Sequence, residues 1–169
     1  MMCHLLTDDV ARPARLSRLF TTLIKLALPD GTVDMTPGHE AAAIWRPPGK
    51  WHVHWWQYIT NGPALISVFG GGLPRVLSTM DLVEKLHPKT PHWYLQVLGT
   101  DTRAQGKGFG SKVMRPRLAE IDAARIPCYL ESSKESNIPI YRTYGFEVTG
   151  EIHIPHGPVL YPMWREPRA

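Results

Sequence analysis

Apolar positions recur at helical spacing in three stretches of the chain, with short extended runs between them. Leu16, Leu19, Phe20, Leu23, Ile24 and Leu28 share one face of a helix predicted over residues 12–28, which Pro29-Asp30-Gly31 ends. Two short strands are predicted over 32–36 and 41–45, with Pro37-Gly38 as the hairpin turn between them. Residues 50–72 crowd Trp51, Trp55, Trp56 and Tyr58 ahead of Gly70-Gly71-Gly72, a pattern read as loop with some helix. Val76, Met80, Val83 and Leu86 then define one face of a helix over 73–87.

The second half of the chain has a different rhythm. Residues 93–98 (Trp-Tyr-Leu-Gln-Val-Leu) form a buried-strand run, followed by a glycine-rich turn and a helix predicted over 108–124. Phe109, Val113, Leu118 and Ile121 supply that helix's apolar face, and the interior Pro116 predicts a kink. A strand over 128–131, a short helix over 137–144 capped by Gly145, and strands over 146–152 and 159–165 complete the chain. The last two strands are joined across Pro155-His156-Gly157-Pro158. The sum is a mixed α/β domain built on a strand–turn–helix–strand unit, with no internal repeat.

That unit is where chemistry is expected. Glycines between a strand and a helix let the backbone come close to a ligand. The first amides of the helix lack internal partners, and the helix dipole adds partial positive charge there. Gly106, Gly108 and Gly110 therefore describe a site for a phosphate or pyrophosphate, with Lys107 adding charge. The spacing is GxGxG, which does not fit a dinucleotide GxGxxG, and no GxxxxGK[ST] occurs. A tight connection without a ligand is the alternative for the turn alone.

In three stretches the chain resembles the GNAT superfamily of N-acetyltransferases. Leu98-Gly99-Thr100 leads into Gln105-Gly106-Lys107-Gly108-Phe109-Gly110, which looks like the family's Gln/Arg-x-x-Gly-x-Gly/Ala pyrophosphate loop; a register through Arg103, Gly106 and Gly108 also fits. Tyr129-Leu130-Glu131-Ser132, then Asn137 and Tyr141-Arg142-Thr143-Tyr144-Gly145-Phe146, resemble its strand, asparagine and Tyr-x-x-x-Gly-Phe ending. The closing strand pair ending at Met163-Trp164-Arg165 is the third. The resemblance covers residues 93–167 well and 12–49 loosely.

It implies a curved, mostly antiparallel sheet flanked by helices, in which two parallel strands splay apart to admit the pantetheine arm of acetyl-CoA. It implies cofactor contacts from Leu98, Gly99 and Thr100, from Gln105 to Ser111 (Gln105, Gly106, Lys107, Gly108, Phe109, Gly110, Ser111) and from Asn137. It also implies that Tyr141 is the general acid. The chain departs from the pattern in Thr100 and Thr102, which stand where valine and proline are usual, and in Pro116; a single domain over 1–169 is expected, without the family's first strand and helix.

Direct attack of an amine on a thioester needs a proton acceptor, oxyanion donors and a proton for the leaving thiolate. Backbone N–H groups near Leu98 or Gly99 suit the oxyanion. Strand alternation turns Glu131 toward the cleft as general base, against an ordinary solvated or ion-paired role; His92, His153 and His156 are weaker alternatives. Ordinary packing is the alternative for Tyr141. Trp45, Trp51, Trp55 and Trp56 read as core and rim packing before pocket wall. The pairs His52/His54 and His153/His156 lack the further ligands that a metal site requires, so no metal is expected.

Composition changes this picture little. The 169 residues are 43% hydrophobic and 20% charged, which suits one soluble domain. The 16 prolines exceed the usual share of about 5% and cluster in loops. A net charge of +4 without any basic run suits a polyanionic small ligand better than nucleic acid. Two unpaired cysteines, Cys3 and Cys128, and no membrane-length apolar run or signal segment point to the cytoplasm. The reading is an acetyl-CoA-dependent N-acetyltransferase acting on a primary amine of a small molecule or peptide, as a monomer or homodimer. Its alternative is a non-catalytic acyl-CoA-binding module of the same fold.

Overall fold

The computed structural model describes residues 2–30, 32–51, 62–63 and 66–168, apart from the side chains of Met2 and Cys3. The strands are β1 (Val33–Met35), β2 (Ala41–Arg46), β3 (Trp93–Thr100), β4 (Cys128–Ser132), β5 (Glu147–Val148), β6 (Ile152–His153) and β7 (Val159–Arg165). They form one sheet in the order β1-β2-β3-β4-β7-β5, with β6 also paired to β7. Every pairing is antiparallel except β3 with β4, as a helical crossover between them requires. This is the mixed, mostly antiparallel sheet that the family resemblance implies.

The helices are α1 (Met2–Leu5), α2 (Arg12–Ala27), α3 (Leu73–Leu86), α4 (Phe109–Ala123) and α5 (Ile138–Thr143). Alternation along the strands sends residues to two faces. Ala41, Ala43, Trp45, Leu95, Cys128, Leu130 and Met163 meet Val113, Met114, Leu118 and Ile121 of α4 and Ile138, Tyr144 and Phe146 around α5 in the main core. The small Ala41 and Ala43 leave room for α4 to lie close to the sheet. On the opposite face Arg46 donates to the Leu26 carbonyl of α2 at 3.3 Å, and Leu82 and Val83 of α3 pack on Ile152 and Leu160.

Differences from the sequence reading have physical causes. The strand expected over 146–152 is split into β5 and β6. Val148 faces Met163 while Ile152 faces Leu160, so this side carries an extra residue. Pro162 stands opposite the interruption and cannot donate to the ladder, although its carbonyl accepts the Thr149 N–H at 2.9 Å. The buried stripe of α3 runs through Val76 and Thr79, leaving Met80 39% and Leu86 54% exposed. Leu28 falls in a 3₁₀ turn and is exposed. The short helix starts one residue later than read, at Ile138, directly after a 3₁₀ turn at Glu135–Asn137. The helix α4 runs on through Pro116, and Met114 joins its predicted buried face. Residues 66–69 and the 3₁₀ turn Gly70–Gly72 supply the helix expected in the tryptophan-rich segment; His52, His54, Trp55, Trp56 and Tyr58 lie outside the described residues.

Two features fix the end of the sheet where β3 and β4 are still paired. Gly145, at φ 91°, ends α5: its N–H bonds the Arg142 carbonyl at 2.9 Å, and the Phe146 N–H bonds that of Tyr141 at 3.2 Å. This doubly bonded reversal needs the left-handed backbone that glycine adopts without penalty. Arg165, buried in β7, pairs with both oxygens of Asp122 on α4 at 2.6 Å and donates to the Tyr144 carbonyl at 2.7 Å. The Arg165 guanidinium holds the Asp122 carboxyl below its usual range. Asp122→Ala strands a buried cation and is expected to cost about 3 kcal/mol, read by urea denaturation. Because the folded-state pKa of Asp122 is depressed, its contribution is present above the unfolded value of about 4 and is lost as pH falls through the folded value. Asp122→Asn should flatten that part of the acid limb of stability.

Candidate active site

The parallel pairing of β3 with β4 stops after Trp93↔Cys128 and Tyr94↔Tyr129. Beyond those pairs β3 stays with β2 as far as Thr100↔Ala41, and β4 stays with β7 as far as Ser132↔Tyr161. The two strands therefore part, and their facing backbone groups have no ladder partner. The registers Ile44↔Val97 and Trp45↔Leu95 leave Gln96 as an extra residue on β3, a bulge beside the opening. Arg46 donates to the Gln96 side chain at 2.9 Å and holds the bulge in place. Leu98, Gly99 and Thr100 form the far limb of β3, paired to β2 on one side and bordering the opening on the other.

The glycine turn follows directly. Asp101 caps a 3₁₀ turn at Thr102–Ala104 and accepts the Arg103 amide at 2.8 Å; Arg103 also pairs with this carboxylate and holds it down to about 2. Gln105 is extended and exposed. Gly108 caps α4 with φ 79°, a left-handed position that excludes most side chains at low cost. A Cβ at Gly106 or Gly108 would meet nothing within 4 Å, so the turn is bordered by open space. The first backbone bond of α4 is from the Lys112 N–H to the Gly108 carbonyl at 3.2 Å; the amides of Phe109, Gly110 and Ser111 precede it and have no acceptor among the described residues. These are unpaired donors at the positive end of a four-turn helix, so a phosphate fits their chemistry. Lys107 is exposed, and Lys112 lies over the Phe109 ring at 4.6 Å.

The side chains beyond the turn are divided between the two faces. Ser111 Oγ and Tyr144 Oη are 2.7 Å apart, so the serine hydroxyl is engaged and ties α4 to the end of α5. Asn137, just before α5, is half-buried and makes no capping bond with its side chain. Tyr141 packs on the core that includes Leu95 and Leu130, which flank the opening. Burial, then Tyr144, raises its phenol above the ordinary value, so it is a neutral hydroxyl at physiological pH.

Glu131 lies on the opposite face, since its neighbour Leu130 is in the α4-side core. Its side chain is only 6% exposed. His87 Nδ1 is 3.2 Å from Glu131 Oε1, His87 Nε2 is 3.0 Å from His92 Nε2, and His92 Nδ1 is 2.6 Å from the Thr90 carbonyl. Both histidines are buried, and Trp51 stacks on His87 at 3.7 Å. His87 was missed in the sequence. The signal was the run His87-Pro88-Lys89-Thr90-Pro91-His92, in which two prolines turn the chain and bring its end residues together. His153 pairs with Glu151 at the surface, and His156 is exposed in the turn before β7. Trp45 is a core residue. Of two surface hollows, one lies beside Asp122 and Arg125 and the other beside His4, Arg75 and His156; neither is lined by Glu131, Tyr141 or the residues of the glycine turn.

Comparison with known proteins gives the same architecture. A protein of Schizosaccharomyces pombe named as an uncharacterized N-acetyltransferase is 26% identical over 182 residues, spanning 99% of this chain and 72% of that protein. The crystal structure of a histone acetyltransferase HPA2 and related acetyltransferase from Corynebacterium glutamicum superposes with a TM-score of 0.64 at 26% identity, covering 92% of this chain and 76% of the other. Arylalkylamine N-acetyltransferase 2 from Aedes aegypti shares the fold, with a TM-score of 0.58 at 11% identity over 95% of this chain and 81% of its own. No family model matches the chain.

The thiol nearest this core has a definite reactivity. Burial pushes Cys128 up to about 12. At pH 8 a thiol reagent is expected to leave Cys128 unmodified in the folded protein and to label it after denaturation, as located by peptide mass spectrometry.

Proposed function

We infer that this chain, a member of the GNAT superfamily of N-acetyltransferases, transfers the acetyl group of acetyl-CoA to a primary amine, with Glu131 as general base and Tyr141 as general acid. It is an acyltransferase by its relatives; the cosubstrate, the acceptor class and the roles of individual residues are the proposal. The observation that carries it is the opening between β3 and β4, with unpaired backbone groups along one limb and ionisable side chains associated with its two faces.

In this reading the amides of Gly108 to Ser111 bind the pyrophosphate of acetyl-CoA, with Gln105, Gly106 and Lys107 completing the turn. The pantetheine arm follows β3 past Thr100, Gly99 and Leu98 and takes backbone bonds that no strand supplies. Asn137 adds a polar contact from the β4 side. The thioester carbonyl then lies near the bulge, where a β3 amide at Leu98 or Gly99 stabilises the oxyanion. The acceptor approaches from the Glu131 face and loses its proton there, and Tyr141 protonates the departing thiolate from the other. The raised pKa of Tyr141 suits a donor, because the hydroxyl still carries its proton when sulfur leaves.

The acceptor is a primary amine of a small molecule or peptide. Among the described residues no helix is long and apolar enough to cross a membrane. A cytoplasmic setting goes with this reading, supported by Cys128, a free buried thiol.

Tyr141→Phe is expected to lower kcat by about 100-fold or more while changing acetyl-CoA affinity less than about threefold, measured by thiol release and by calorimetry. Equal losses in both would mean that the tyrosine binds rather than donates. Gly108→Ala, whose methyl group enters the space beside the amides, should weaken coenzyme A binding about tenfold or more. Its thermal midpoint should drop by only a few degrees, since the strain at positive φ is of order 1 kcal/mol.

A further inference from the structure

Thr90, His92, His87 and Glu131 form one continuous chain of three contacts, 2.6, 3.0 and 3.2 Å long, in which both histidines and the Glu131 side chain are buried and Thr90 is at the surface. One end settles the bookkeeping of protons. The Thr90 carbonyl can only accept, so His92 Nδ1 carries a hydrogen. Each of the other two contacts also needs one hydrogen between its atoms. Three bonds need three protons, whereas two neutral imidazoles supply two. The third belongs either to a His87–His92 imidazolium beside a carboxylate or to a protonated Glu131. With one proton fewer, two lone pairs face each other in a buried site, which is costly.

We propose that Glu131, His87 and His92 act as a single proton acceptor for the acyl-transfer reaction, with His87 and His92 as positioning residues that set the proton affinity of Glu131. The proposal rests on the reading of Glu131 as general base. In the working form the cluster holds two protons and a net charge of −1. The acceptor ammonium gives one proton to Glu131, the N–H bond breaks and an O–H bond forms, leaving a neutral amine and a neutral cluster of three protons. That uptake completes the third hydrogen bond, so the cluster gains a bond as the amine becomes nucleophilic.

The surroundings leave these three side chains as the proton acceptor. His87 comes from the end of α3, His92 and Tyr94 from the start of β3, Tyr129 and Glu131 from β4, Trp164 from β7 and Trp51 from the segment after β2. The charge of Arg46 on β2 acts on Tyr94. Burial, followed by the Glu131 charge, raises both phenols, so neither Tyr94 nor Tyr129 competes as a base near neutral pH. Burial also lowers His92, opposing a lone charge on that ring. The His87 ring is enclosed by Trp51, Tyr94 and Tyr129, which fixes its orientation toward Glu131.

The test joins ring-nitrogen NMR of the full chain with pH–rate profiles. In the wild type both rings should titrate together with one midpoint, and His92 should keep its Nδ1 proton at every pH. In Glu131→Gln the amide supplies the missing hydrogen to His87, so both rings should remain neutral, with fixed tautomers, from pH 5 to 9. The acid limb of kcat/KM should shift down by about one pH unit or more in His87→Gln and in His92→Gln, the second removing only the far end of the chain. The exposed His153→Gln should leave the limb unmoved, and thermal melts check that each variant is folded. Separate midpoints for the two rings, rings indifferent to Glu131→Gln, or an unmoved limb in both histidine variants would overturn the proposal. Loss of turnover in Glu131→Gln with an unmoved limb in the histidine variants sinks the cluster but keeps the base; wild-type turnover in Glu131→Gln removes the base itself.

Discussion

The structure depends on two strands that run parallel and stop pairing after two residues. A sheet normally extends its ladder wherever partners are available, because buried backbone groups left unpaired are expensive. Here each strand is claimed on its outer side. β3 is held by β2 from Tyr94 to Thr100, and β4 is held by β7. The bulge at Gln96 bends β3 where it would otherwise continue alongside β4, and Arg46 secures it. The cost of the opening falls on a few peptide groups, which water or a ligand with amide groups of its own can satisfy.

The remaining architecture holds that opening in place. The α4 helix crosses from the end of β3 to the start of β4, and its core residues pack on both strands. Arg165 joins β7 to α4 and to the end of α5 through one buried guanidinium. On the far face α3 packs on β6 and β7, α2 packs on α3 in a second small cluster, and the polar group around Glu131 is enclosed by rings. The apolar and polar sides of the sheet therefore have different work: one fixes geometry, and the other collects ionisable groups in a poorly solvated space where proton positions matter.

Much of this was legible in the sequence, for reasons that differ by element. The α4 face and the β4 run were readable because their apolar pattern matches their burial; β3 was readable as a strand, but of its residues Leu95 alone is buried, because the run borders the opening. Gly145 was readable because only a left-handed residue can end α5 as it does. The glycine turn was placed correctly between strand and helix from residue chemistry alone. The face of α3 was read one residue out because its buried stripe includes Thr79, a polar residue that hydrogen-bonds its own helix at the Arg75 carbonyl. The break between β5 and β6 depends on Pro162 in a different strand, and local pattern does not reveal which residues will stand opposite one another. The His87–His92 contact escaped because a histidine at a helix end and one at a strand start carry no common period; their meeting is a product of the proline turn between them.

The hydroxyl pair of Ser111 and Tyr144 has a consequence of scale. It clamps the start of α4 to the helix that bears Tyr141, so that helix end and the phenol belong to one stiff frame. For the proposed reaction such a frame is a gauge. A donor whose flexible arm is too short or too long would seat its phosphates and still present its reactive carbon at the wrong mark, so length would be tested before any chemistry begins.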